Sequence, residues 1–363
     1  MPPVQVVTDC EGPLALNDNA FELCRDFLGP EGERFFRQVS RYDDFLGGVL
    51  KKPGYRNGDT LKLILPFLLA RGLTQEKLVD YCRRTVSLVP GAKSCYRFLH
   101  SLEFPLYMIS TSYRPFAEAV GGKLGFRPER IFATEVDLSR YHLSEAEAAR
   151  LEELQAEIAR TPEIELPPGA RSEADLSPAT QAALRRLEEI FFGEIPDLPI
   201  GRLYEDIRPV GGEEKAEALR RSLAETGLKM ANALYVGDSI TDVEAFKAVR
   251  AGGGVSISFN GNRYAVEAAE FVVVADSAWP IALLTGIFWR WGKAGLLELA
   301  ESTKAGHQKI IALPERMLEA IVTGLQGVTF NYYLSGGSRR EQALQESLAM
   351  RARLRGEEVA ALG

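Results

Sequence analysis

Short, continuous apolar runs alternate along this chain with longer stretches of helical periodicity, the pattern of strands buried on both faces of a sheet and connected by helices. Val4, Val6 and Val7 predict the first strand, and its apolar character stops at Asp9, Glu11 and Gly12. Pro105–Ile109 predicts a second strand ending in Ser110-Thr111-Ser112, and Arg130–Val136 a third. Ala233–Val236 and Val255–Phe259 follow, with Phe271–Val274 as the last. A doubly wound, mainly parallel α/β sheet is the fold class this order implies.

The helical stretches are uneven in length. Between the first two strands, Asn17 or Asp18 caps a helix carrying Phe21, Leu23, Cys24 and Phe27, Leu61–Leu69 forms a dense apolar helix, and Thr74 opens another that ends before Pro90-Gly91. That is too much chain for a plain crossover, so residues 17–88 are expected to form a helical cap. Lys93–Leu102 is the crossover helix itself. After the third strand, Ser144–Arg160 is a charged helix, Thr161–Pro178 is rich in proline, glycine and acids, and Thr180–Phe192 puts Ala183, Leu184, Leu187 and Phe191 on one face. Residues 143–200 therefore predict an inserted helical hairpin. The core is expected over 1–16, 89–142 and 201–277, and 278–363 as a helical C-terminal extension without an interpretable motif.

Composition removes several alternatives. Fifty acidic against 43 basic residues, a net charge of -7, leave no basic footprint for nucleic acid. Cys10, Cys24, Cys82 and Cys95 form no C-x-x-C pair, and with only His100, His142 and His307 a zinc site or multi-histidine centre is not expected. Met1 leads almost directly into the first strand and the run Trp279–Phe288 is too short to span a bilayer, so a cytoplasmic protein without membrane insertion is expected. No G-x-G-x-x-G follows the first strand, which disfavours a nicotinamide-binding oxidoreductase.

Candidate chemistry lies where strands end, since ligands of open α/β sheets bind beyond the carboxyl edge. Asp9 and Glu11 place two carboxylates there, although an acidic turn would look the same. Ser110, Thr111 and Ser112 read most simply as a helix cap and alternatively as donors to a phosphate oxygen. Lys215 follows Gly211-Gly212 at a helix start, and Gly237-Asp238-x3-Asp242 follows a later strand. Four carboxylates in one crevice repel one another and demand a cation or protonation, and an oxygen-only set suits magnesium.

This ordered set, Asp9-x-Glu11-Gly12, Ser110, Lys215 and Gly237-Asp238-x3-Asp242, resembles the haloacid dehalogenase (HAD) superfamily, in particular magnesium-dependent phosphatases similar to phosphoserine phosphatase. The resemblance covers roughly residues 4–16, 89–136 and 203–276. It implies a phosphomonoester hydrolase in which Asp9 is the nucleophile and Glu11 the acid and base. Ser110 and Lys215, with Thr111, would hold the phosphoryl group. Mg2+ would be bound through Asp9, Asp238, the Glu11 backbone carbonyl and, by way of a water, Asp242. Glu11 departs from the family's usual aspartate at that position, which shifts its reach. Arg41, Lys51, Lys52, Arg56 and Arg114 are cations available to a small phosphorylated metabolite, each more simply a surface charge; Arg56 and Arg114 are the substrate-binding candidates. A phosphotransferase would use the same chemistry. The alternative from another class is a non-catalytic binding or assembly subunit: similar archaeal sequences carry the label energy-converting hydrogenase subunit R, and the C-terminal helices would offer a surface for a homo-oligomer or protein partner.

Overall fold

The computed structural model describes residues 3–167, 169–301 and 304–360. Residues 1–2 and 361–363, at the outer ends of the predicted core and extension, lie outside the described residues, as does the side chain of His307. Seven strands form one sheet: β1 (Gln5–Thr8), β2 (Leu106–Tyr113), β3 (Ile131–Thr134), β4 (Ala233–Gly237), β5 (Val255–Phe259), β6 (Phe271–Ala275) and β7 (Phe330–Leu334). Their order is β3-β2-β1-β4-β5-β6-β7, parallel throughout except for β7. The mainly parallel, doubly wound sheet expected from the apolar runs is therefore present.

Alternation along β1 sends its two valines to opposite faces of the sheet. Val6 enters one core with Met108 and Val236, while Val7 enters the core on the opposite face with Ile109 and Tyr235. Both faces are covered, so the two polar residues of the strand are buried with hydrogen-bond partners, Gln5 donating to the Ser222 hydroxyl at 2.7 Å and Thr8 to the Asp9 carbonyl at 2.8 Å. The first polar group beyond β1 is the Asp9 carboxylate.

Helices Asn19–Phe27, Gly32–Asp44, Thr60–Ala70 and Gln75–Thr85 follow β1, the first capped by Asp18, whose carboxylate accepts from Phe21 N–H at 3.0 Å. Helix Glu145–Arg160 of the second inserted segment packs against Gly32–Asp44 and Thr60–Ala70. Residues 17–88 and 143–200 thus meet in one helical layer. Gln38 fixes that contact, its amide donating to the Thr161 carbonyl at 2.9 Å and accepting from Ile164 N–H at 3.2 Å.

Two expectations need correction. Phe271–Ala275 is not the last strand, because β7 pairs antiparallel with it inside the segment expected to be helical. Ser110-Thr111-Ser112 is not a helix cap: β2 continues through all three to Tyr113, and the helix Arg114–Leu124 that follows has no side-chain cap. Buried Tyr113, whose hydroxyl donates to the Leu61 carbonyl at 2.6 Å, ties the end of the strand to the helix Thr60–Ala70.

Candidate active site

The strand order puts β1 between β2 and β4, and the register sets their ends level. Thr8 pairs with Met108 on one side and Val236 on the other, and Asp9 N–H donates to the Val236 carbonyl at 2.8 Å. The chain reverses direction around the sheet between β1 and β4, the place where crevices open in this architecture. Asp9 and Asp238 emerge there side by side. Gly12 makes the approach possible: at φ +87° a Cβ on it would lie 2.3 Å from the Asp238 carboxyl carbon.

Lys215 ties the acids together. It is fully buried, and its Nζ donates to Asp9 Oδ2 at 2.5 Å and to Asp242 Oδ1 at 2.8 Å. Asp242 holds the loop after β4 as well, accepting from Tyr235 OH at 2.8 Å and from the N–H groups of Asp238 and Ser239 at 2.9 and 3.1 Å. With both oxygens engaged in this way, Asp242 acts through the loop and Lys215. Carboxylate oxygens of Asp9, Asp238 and Asp242 lie within 4.8 Å of one another, all buried.

Electrostatics follow from dryness. Burial pushes the Asp9 carboxyl up to about 8 against the pull of the Lys215 ammonium. Burial, with Asp18 adding to it, also pushes Glu11 up to about 8, although Glu11 accepts from Asn19 N–H at 2.8 Å. Despite burial, Asp242 and Asp9 hold the Lys215 ammonium above its ordinary value. Burial leaves the Asp9 carboxyl raised even beside Lys215, and the donors gathered at Asp9, Asp238 and Asp242 are all hard oxygens. That chemistry fits a divalent cation such as Mg2+, with Asp9 and Asp238 as the side chains to hold it.

Above these groups lies a cavity of about 130 Å³ lined by Asp9, Glu11, Asp18, Asp43, Thr111 and Ser112 among others, Asp18 and Asp43 coming from residues 17–88. Its size suits a phosphoryl group with a few further atoms. Ser110 is buried beneath, its Oγ accepting from Ser112 N–H at 3.1 Å, while the Ser112 hydroxyl is buried without a partner. Thr111 lines the cavity and its hydroxyl donates to the Val210 carbonyl at 2.9 Å. Ser112 is therefore the free hydroxyl, a position the cap reading concealed.

The cations expected over the site lie elsewhere. Arg56 pairs with Glu214 at 2.5 Å and is about half exposed, and Arg114 is held by Glu118, Glu135 and the Ile131 carbonyl. Lys52 pairs with Glu188. None of these lines the cavity. Its arginines are Arg351 and Arg355, from the C-terminal helix Arg340–Arg355. Arg351 donates to Asp238 Oδ2, and Arg355 reaches the same oxygen at 3.2 Å.

Fold and site together define a doubly wound α/β protein with a buried acid-lysine centre at the carboxyl edge of its sheet. No protein family and no curated protein matches the sequence. Among solved structures, the gene product AF1437 from Archaeoglobus fulgidus is similar over 99% of both chains at 29% identity, with a TM-score of 0.74. Substrate-bound and apo phosphoserine phosphatase each match 75% of this chain at 15% identity, covering 93% and 92% of their own, with TM-scores of 0.45 and 0.41. None of these bears a hydrogenase name. The functional reading accordingly rests on the side chains.

Proposed function

We propose that this protein is a HAD-type phosphomonoester hydrolase, magnesium-dependent and cytoplasmic, acting on a small phosphorylated metabolite through an aspartyl phosphate on Asp9. The observation that carries the reading is the convergence of the buried carboxylates of Asp9, Asp238 and Asp242, two of which, Asp9 and Asp242, share the ammonium of Lys215. Among the described residues no helix is long and apolar enough to cross a membrane.

An Asp9 carboxylate oxygen attacks phosphorus, the bond to the leaving oxygen breaks, and Glu11 gives that oxygen its proton. Burial raises both carboxyls to about 8, so Glu11 keeps its proton at neutral pH, while a cation held at Asp9 and Asp238 would keep Asp9 ionised. Water then attacks the aspartyl phosphate as Glu11, now the base, takes its proton. Lys215 offsets negative charge beside the reacting group, and Thr111 and Ser112 present polar groups to the phosphoryl oxygens. Bound Mg2+ would supply further charge compensation for the phosphoryl group at Asp9 and Asp238. A hydroxyl acceptor in place of water would make the same sequence a phosphotransfer. The domain division that goes with this reading takes residues 17–88 and 143–200 together as the roof and 1–16, 89–142 and 201–277 as the core.

Incubation with an aryl phosphate and Mg2+ tests the proposal against Asp9→Asn. Release of phosphate by the native chain and its loss in the variant is expected; equal release by both, or none by either across a metabolite panel, refutes it. One observation favours the second reading, a binding or assembly subunit: Asp238 is already neutralised by two guanidiniums of the same chain.

A further inference from the structure

Each acid that would hold the cation is engaged by a positive group of the chain itself. Lys215 takes Asp9 and Asp242, and Arg351 and Arg355 both take Asp238 Oδ2. The two arginines differ in how they are tied. All three guanidinium nitrogens of Arg355 are used: Nε donates to the Leu16 carbonyl at 3.0 Å, Nη2 to the Asn17 carbonyl at 2.6 Å and Nη1 to Asp238. Leu16 and Asn17 lie on the first linker into the cap, braced against the second by bonds from Leu16 N–H to the Ser87 carbonyl and from Ser87 N–H to Asn17 Oδ1. Arg351 is 4% exposed, and its Nε–H is buried without an acceptor. Its guanidinium is therefore hydrogen-bonded only at Asp238, whereas Arg355 is fastened on three sides.

We propose that Arg351 is an internal counter-cation of the metal site, competing with the divalent ion for Asp238, so that loading of the ion and release of the Arg351 side chain from that carboxylate are coupled. The inference rests on the metal-dependent reading above. A guanidinium and a divalent cation on one buried carboxylate repel each other strongly in a medium of low dielectric. The ion entering at Asp238 displaces the more weakly tethered partner, Arg351, while Arg355 keeps the cap linker in place. Arg351 is thus a positioning residue: it sets the charge and accessibility of Asp238 without touching the reacting atoms.

Manganese binding to the full chain, followed by the loss of the free Mn2+ electron paramagnetic resonance signal, reads this without turnover. Arg351→Gln is expected to bind Mn2+ about tenfold more tightly than the native chain, within the usual range of coupling between sites, and Arg351→Lys, which keeps the charge, like the native chain. In the native chain saturating Mn2+ is expected to speed amide hydrogen exchange over the last turn of the helix Arg340–Arg355, residues 351–355. Weaker binding by Arg351→Gln would make the arginine a support for the ligand and overturn the proposal. Unchanged exchange there overturns it from the native chain alone, should the glutamine variant fail to fold. Mn2+ bound alike by all three chains sinks this inference while leaving the hydrolase reading intact; no binding by any of them removes the metal and the inference together.

Discussion

Lys215→Met is the most informative single change because the geometry fixes what it leaves behind. The ammonium has no solvent exposure and serves two buried carboxylates, at 2.5 and 2.8 Å. Methionine fills similar space, so the loss is of charge and not of volume. Breaking a buried ion pair by removing one partner costs about 3–5 kcal/mol. With an unfolding entropy of about 2.1 cal/mol/K per residue, a chain of this length should then melt about 4–7 °C lower. The abandoned acids have a way out, which is to take up protons. Without Lys215 the folded-state pKa of Asp9, already raised by burial, rises further above that of the unfolded chain, so the folded variant holds a proton that the unfolded one has released. Its stability is therefore regained as pH falls, and the deficit should be full near pH 8 and shrink near pH 5. Differential scanning calorimetry of the native chain and the variant at both pH values measures this, and adding Asp242→Asn should restore part of the loss by removing one stranded charge. An equal deficit at both pH values, or none at either, would refute the assignment of Lys215 as the buried counter-charge.

The same linkage applies to the native chain without divalent ions. Burial raises Asp9 and Glu11 to about 8 and Asp43 to about 7. Stability is thus fully present below the unfolded carboxylate range, near 4, and is lost as pH rises through 7 to 8; melting temperatures from pH 5 to 8.5 should fall, and Mn2+ should flatten the upper part of the curve. Gly12→Ala should destabilise the chain by more than about 1 kcal/mol, since it meets both an unfavourable positive φ and the Asp238 carboxyl group. Denaturant unfolding checks the stability, and Mn2+ titration should show weakened binding because Asp238 must move.

Much of the sheet is legible in the sequence because strands covered on both faces are mostly apolar, interrupted in these five only by Gln5, Ser256 and Ser258. Val4–Val7, Leu106–Ile109, Ala233–Val236, Val255–Phe259 and Phe271–Val274 all fall within or beside observed strands. β7 escapes because it is an edge strand with one neighbour: Phe330–Leu334 is largely half-exposed, and its Asn331 interrupts any apolar run. Asp9, Lys215, Asp238 and Asp242 are found by their places after strands and at a helix start, and the register then brings them together. Arg351 and Arg355 are hidden for a different reason. In a basic helix they read as a solvated face, and only docking against Asp238 shows otherwise. A faint signal does exist: Leu344, Ser347 and Arg351 follow one another at three and four residues, and all three are buried, so the apolar stripe of that helix runs directly into the arginine.

That stripe bears on what the last third of the chain is for. Leu344 and Met350 pack with Val272, Val274 and Tyr333, so the helix is laid against β6 and β7 by ordinary apolar burial. Ser347 adds a bond to the Gly261 carbonyl at 2.7 Å, on the loop after β5. These contacts fix the axis and rotation of the helix before any charge is considered, and they point its next turn at Asp238. The arginines are consequently delivered by a rigid support of the same sheet that carries the acids, instead of by a tail free to come and go. The likeness to the Archaeoglobus fulgidus gene product extends over 99% of both chains, so the C-terminal helix belongs to the architecture the two share. Because β7 closes the sheet edge and the following helix reaches back to the carboxyl ends of β1 and β4, residues 278–363 complete the sheet and the candidate site.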